Sequence, residues 1–164
     1  MAAGDIIFWS DVADAIRPPV VRLTQQAAQS LANAANGAIT FGAGSEDIDT
    51  HGFHDTTTNT SRITPTKAGR YRVKGTVALS AQNTVSLFAV FIGKNGTSVQ
   101  PFSRSKPGVV STSTLSHDAE AIVELNGTTD YVEVYANQTS GGALNTQASG
   151  GVNSTLELEY IGVQ

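Results

Sequence analysis

From Arg70 to Leu79 the chain sets Tyr71, Val73, Gly75, Val77 and Leu79 against Arg70, Arg72, Lys74, Thr76 and Ala78. Strand side chains alternate with a period of two, so this pattern predicts a half-buried strand. Lys67-Ala68-Gly69 reads as the turn before it. Tyr131 to Ala136 alternates Tyr131, Glu133 and Tyr135 with Val132, Val134 and Ala136. Ser154 to Val163 sets Leu156, Leu158 and Tyr160 against Glu157, Glu159 and Ile161. Val85 to Ile92 (VSLFAVFI) is nearly continuous in apolar residues and predicts a strand buried on both faces. Ala119 to Leu125 reads as a strand, although taken alone it fits a helical turn. Lys94-Asn95-Gly96 and Asn126-Gly127 both carry Asn-Gly, the preferred hairpin pair. Pro107-Gly108 marks another turn. Pro101 assigns Val99 to Arg104 to a sheet edge, because proline cannot donate to a ladder. Many short strands at a spacing of about 8–12 residues predict a sandwich or barrel.

Three stretches depart from this pattern. Residues 20–36 (VVRLTQQAAQSLANAAN) are rich in Ala and Gln and keep Val20, Leu23, Ala27 and Leu31 at helical spacing. The same stretch alternates like a strand over Val20 to Thr24. Ser140 to Asn153 reads as a long Gly/Ser/Asn loop. At the start, Ser10 can cap a short helix through Ala15, which Pro18 and Pro19 end. Ile6, Ile7, Phe8 and Trp9 are strongly apolar for a chain end. Such a patch is expected to dock, on this subunit or a neighbour. The run is too short to span a membrane, and Asp5 with no Lys or Arg before it is unlike a signal peptide.

Composition agrees with an all-β chain. Of 164 residues, 19 are Thr, 15 Ser, 9 Asn and 16 Gly, types that favour strands and turns. The length suits one domain of the usual ~100–200 residues. A net charge of -4 argues against a nucleic-acid binder, which carries a basic face. With no Cys, a disulfide scaffold, a thiol nucleophile and a cysteine-ligated zinc site are excluded.

Candidate chemistry is sparse. Asp49, His51, His54 and Asp55 are residue types that ligate divalent ions. They also serve as backbone caps in a turn, and in a strand Asp49 and His51 share a face that His54 does not. His117 and Asp118 could join a serine in a hydrolytic triad, but no Gly-x-Ser-x-Gly turn surrounds any serine. Glu120 with Glu124, and Glu157 with Glu159, lie on single strand faces rather than astride a cleft, unlike glycosidase pairs. Phe102, Tyr131 and Tyr135 are candidates for ligand stacking, but packing against a second sheet is the favoured reading. The expectation is a non-enzyme with no cofactor.

Several segments fall in a familiar order: Ile39-Thr40-Phe41, then Asp49-Thr50-His51-Gly52-Phe53-His54-Asp55, Arg62-Ile63-Thr64 and Ala68-Gly69-Arg70-Tyr71-Arg72-Val73. Leu125-Asn126-Gly127, Asp130 to Val134 and Leu156 to Val163 follow. Val20 to Val163 thus resembles the jelly roll of the complement globular head and tumour necrosis factor. It is most similar to phage and actinobacterial proteins of that type, and residues 1–16 resemble the starts of phage virion proteins. The resemblance implies an all-β jelly-roll β-sandwich over residues 20–164, preceded by an N-terminal arm over 1–19 with a short helix. It implies strands at Val20 to Thr24 and near Ala28 to Leu31, against the helical reading. It also implies a homotrimer, with Leu87, Phe88, Val90, Phe91, Leu156, Leu158 and Tyr160 as candidate interface residues. The function expected from it is a structural protein on the phage particle surface. Capsid decoration or a head-fibre role is favoured, with Ile6, Ile7, Phe8 and Trp9 docking on other virion proteins, the major capsid protein first among them. The alternative is a tail-associated receptor- or glycan-binding module with a host-surface glycan as partner. Neither nucleic acid nor membrane insertion is expected.

Overall fold

The period-two segments fold as strands and the Gly/Asn/Ser-rich segments as the turns between them. The computed structural model describes residues 17–80, 82–105, 109–111 and 114–163. The expected helix at Ser10 to Ala15, the apolar group Ile6, Ile7, Phe8 and Trp9, and the Pro107-Gly108 turn lie outside these residues. No described residue is helical. The strands are β1 (Val20–Thr24), β2 (Ser30–Leu31), β3 (Asn36–Ala38), β4 (Glu46–Asp49), β5 (Ala68–Leu79), β6 (Gln82–Val85) and β7 (Phe88–Lys94). They continue as β8 (Thr97–Ser105), β9 (Val109–Ser111), β10 (Leu115–Asn126), β11 (Val132–Gln138), β12 (Leu144–Asn145) and β13 (Thr155–Gly162).

Two antiparallel sheets form the body. One has five strands in the order β10-β5-β13-β1-β4, the other four in the order β3-β11-β7-β8. The chain crosses repeatedly between the sheets, for example from β5 to β7, β8 to β10, β10 to β11 and β11 to β13. With every pair of neighbours in the two sheets except β7 and β8 separated by other strands, this is a jelly-roll β-sandwich. Two short pairs, β2 with β12 and β6 with β9, complete the strands.

The inward side chains are the apolar halves of the alternating patterns. Val21 and Leu23 of β1, Tyr71, Val73 and Val77 of β5, and Leu156 and Leu158 of β13 meet Val90, Ile92, Val132 and Val134 of the other sheet. Each such aliphatic side chain contributes about 1.5–3 kcal/mol relative to exposure. The sheets approach closely at Gly75, where a Cβ would lie 2.4 Å from Val134 Cγ2. Only glycine fits there.

Strand β1 settles the ambiguous stretch. It lies between β4 and β13, and burial of Val21 and Leu23 there outweighs helix propensity. Other expectations need correction. The strand expected over Val85 to Ile92 is broken at Ser86-Leu87. Ser86 N donates to Thr139 O, and Thr139 N to Leu87 O, both at 2.9 Å, so two residues oppose one there and regular pairing is interrupted as in a bulge. Ala68 and Gly69 belong to β5 rather than to the turn before it. Asn126-Gly127 does not close a hairpin, because β10 and β11 lie in different sheets. Instead Asn126 Oδ1 accepts from the backbone N–H groups of Thr128, Thr129 and Asp130 at 2.9–3.0 Å, and so shapes the crossing. Asn95-Gly96 does form its hairpin, with φ of 52° and 76°, between β7 and β8.

Candidate functional site

Of the seven candidate interface residues, Phe88, Val90, Leu156 and Leu158 are buried in the chain's own core. An apolar side chain that already faces the opposite sheet has no surface for a neighbour, so these four are withdrawn. Leu87, Phe91 and Tyr160 remain partly exposed. Tyr160 packs edge-on to Tyr71 at 5.3 Å and lies under the Lys67 ammonium, 4.7 Å from its ring centre.

The surface that does combine apolar and polar groups is the outer face of the five-stranded sheet. Arg22 Nε lies 3.5 Å from Glu157 Oε1 and 3.7 Å from Asp47 Oδ2. Arg72 reaches Glu159 Oε2 at 3.2 Å and Glu120 Oε1 at 3.4 Å. These pairs are solvated, so each is worth about 0–1 kcal/mol at most. Beside them stand large aliphatics. Ile48 is directly opposite Arg22 and Ile122 directly opposite Arg72 in the strand register. Ile48, Ile122 and Ile161 are 45%, 59% and 40% exposed. The paired glutamates Glu157 with Glu159, and Glu120, are therefore bound up in ion pairs.

The segment Asp49 to Asp55 is a set of backbone caps. Asp49 accepts from the N–H of His51 at 3.2 Å and of His54 at 2.9 Å. The His54 side chain is fully buried. Its Nδ1 lies 2.9 Å from Glu46 Oε1 and its Nε2 3.2 Å from Thr60 O. His51 Nδ1 sits 2.7 Å from Thr50 Oγ1. Asp55 Oδ1 accepts from Thr57 Oγ1, Thr57 N and Thr58 N. Those bonds, that from the Thr57 hydroxyl foremost, lower its pKa from 3.8 to about 2. The two imidazoles and two carboxylates thus face different partners. Among the described residues, no three carboxylate, imidazole or thiol groups come together as a metal site.

His117 packs its ring edge-on to Phe88 at 5.2 Å, and Asp118 is exposed on the next position of β10.

The outer face of β11 carries the remaining candidates. Glu133, only 4% exposed, accepts from the Tyr135 hydroxyl and from Ser61 Oγ at 2.7 Å, and lies 3.5 Å from Arg62 Nε. Burial, then the Glu133 carboxylate, push the Tyr135 phenol well above its ordinary range. The Arg62 guanidinium lies 4.0 Å above the Tyr131 ring centre, a cation–π contact. Tyr135 stacks on Phe91 with parallel planes and centres 5.2 Å apart. A Cβ at Gly93 would lie 2.5 Å from Tyr135 Cε2, so a glycine leaves room for that ring. The Phe102 side chain lies outside the described residues. Sequence reasoning picked out Tyr131 and Tyr135 and placed Glu133 on their face. It missed Phe91, Arg62 and Ser61 as their partners, because those pairings depend on which strands are neighbours.

No family model matches the chain, and no curated protein sequence matches it. Solved structures do. Murine APRIL superposes with a TM-score of 0.63 and 11% identity, over 87% of this chain and 98% of that one. Eiger TNF from S. frugiperda superposes with a TM-score of 0.56 and 12% identity, over 89% and 95%. The domain therefore has the tumour-necrosis-factor-type jelly-roll fold.

Proposed function

We propose that this chain is a non-enzymatic structural protein of a bacteriophage particle, a homotrimeric jelly roll displayed on the capsid surface and held there by its N-terminal arm. The observation that carries the trimer is the outer face of the five-stranded sheet. Exposed Ile48, Ile122 and Ile161 lie among arginines and glutamates that already pair with one another. A second copy can cover such a face without leaving lone charges buried, the arrangement that makes charged interfaces costly. The jelly-roll fold and the resemblance of Val20 to Val163 to trimeric heads support the same reading. The phage assignment rests on the resemblance of the ordered motifs and of residues 1–16 to phage proteins. Ile6, Ile7, Phe8 and Trp9 supply the apolar anchor, with the major capsid protein as its partner.

Light scattering of the purified full-length chain tests the trimer. A mass of three chains is expected, and a monomer overturns it. Mixing the chain with phage capsids tests the role. Full-length protein is expected to sediment with capsids, whereas protein lacking residues 1–19 is not. Equal sedimentation of both overturns the anchor.

A further inference from the structure

The two outer faces of the sandwich differ in chemistry. The five-stranded face is ionic and aliphatic; the four-stranded face is aromatic and amide-rich. On the latter, β11 lies between β3 and β7, with Tyr135 opposite Ala38 on one side and Phe91 on the other. Phe91 covers one face of the Tyr135 ring. Toward β3 the neighbour is the methyl group of Ala38, and both residues keep partial exposure.

Two residues along the strand, about 6–7 Å away at the usual rise, Asn137 faces Asn36. Asn137 Nδ2 donates to Asn36 Oδ1 at 2.8 Å. That bond uses the Asn36 carbonyl and one Asn137 N–H, so the Asn36 amide donors and the Asn137 carbonyl take no part in it. A donor beside an acceptor matches two adjacent hydroxyls, each of which can give and take a hydrogen bond.

The ring itself is fixed from below. Glu133 is buried, holds the Tyr135 hydroxyl, and is itself held by Ser61 and Arg62. A buried carboxylate adds little net stability by itself. Here it fixes the Tyr135 ring in place, the preorganisation a binding surface needs. Arg62 offsets the Glu133 charge beside the Tyr135 ring.

We propose that the outer face of β3 and β11 is a binding site for neutral glycans, with one sugar ring stacked on Tyr135 above Ala38 and its vicinal hydroxyls on the Asn36–Asn137 amide pair. The face lies on the opposite side of the sandwich from the five-stranded face proposed for the trimer contact. Three copies on one trimer multiply a weak single-site affinity.

The test is a titration of the full-length, 15N-labelled chain with maltotriose, cellotriose, mannotriose and chitotriose, and with sialyllactose as a charged control. At least one neutral trisaccharide is expected to shift the Asn36, Ala38, Tyr135 and Asn137 signals saturably. Asn137→Ala removes one exposed hydrogen-bonding group and is expected to weaken binding about fivefold. Tyr135→Ala is expected to abolish it, and Tyr135→Phe to keep most of it because the ring remains. Silence across the neutral sugars, shifts confined to other surfaces, or preference for sialyllactose overturns the proposal. Failure here leaves the trimer intact, and a monomer that binds leaves this site intact.

Discussion

Gly75 shows how closely the two sheets are fitted. Its missing side chain is filled by Val134 and Ile92 of the facing sheet, at 2.4 and 3.1 Å from where a Cβ would stand. Both neighbours are core residues in the middle of strands, with little freedom to retreat. Gly75→Ala is expected to cost about 1–3 kcal/mol through overpacking, a fall of several degrees in melting temperature. An unchanged melting temperature contradicts that packing. Asp55 carries the clearest pH dependence. Bonds from the Thr57 hydroxyl and the Thr57 and Thr58 amides favour its charged form and bring its pKa to about 2. Its contribution is therefore fully present above the unfolded value of 3.8 and is lost as pH falls from there through about 2. Carboxyl NMR should place its midpoint near 2, and the Thr57 and Thr58 amide signals should move with it. In Asp55→Ala those amides should no longer titrate in that window.

Alternation made β5 and β13 legible one strand at a time, down to which side chains point inward; for β1 the resemblance decided between helix and strand, and in β11 Val132, Val134 and Ala136, not the aromatics, face the second sheet. What a strand pattern leaves open is the partner. Val85 to Ile92 carries no polar interruption beyond Ser86, yet Thr139, more than fifty residues later, captures the backbone there. Asn126-Gly127 satisfies every local rule for a hairpin, yet β10 pairs with β5 and β11 with β7 and β3. The same limit hid the surface sites: Phe91 meets Tyr135, and Ile122 meets Arg72, only because of sheet order. For Asn126 the consequence is measurable. Its carbonyl caps three successive N–H groups as the chain leaves one sheet for the other. Asn126→Ala is expected to destabilise by about 1–2 kcal/mol, as loss of a helix cap does. Faster amide exchange should be confined to residues 127–131. If exchange rises evenly over β10 and β11 instead, the crossing is held by the strands and not by this cap.

The two outer faces give the molecule its polarity, and the ionic one makes a prediction about heat. If three chains associate through the five-stranded sheet, unfolding must also dissociate them. The melting temperature must then rise with protein concentration, because mass action favours the folded trimer. Ile122 is the place to probe this. It is the most exposed of the three isoleucines at 59% and faces Arg72 in the register. It also shares its strand face with Glu120 and Glu124, two residues to either side. A carboxylate there adds a third negative charge to the row and removes the aliphatic surface a neighbour would cover. Within the single chain it disturbs nothing buried, since the inward side chains of β10 are Ala119, Ala121, Val123 and Leu125. Ile122→Glu is therefore expected to abolish the concentration dependence and lower the mass to one chain, with circular dichroism unchanged. Ser98→Glu, at an exposed position of the other sheet, should leave both as they were. If the two variants behave alike, the chains do not meet through the five-stranded sheet, and the exposed isoleucines must answer to some other partner.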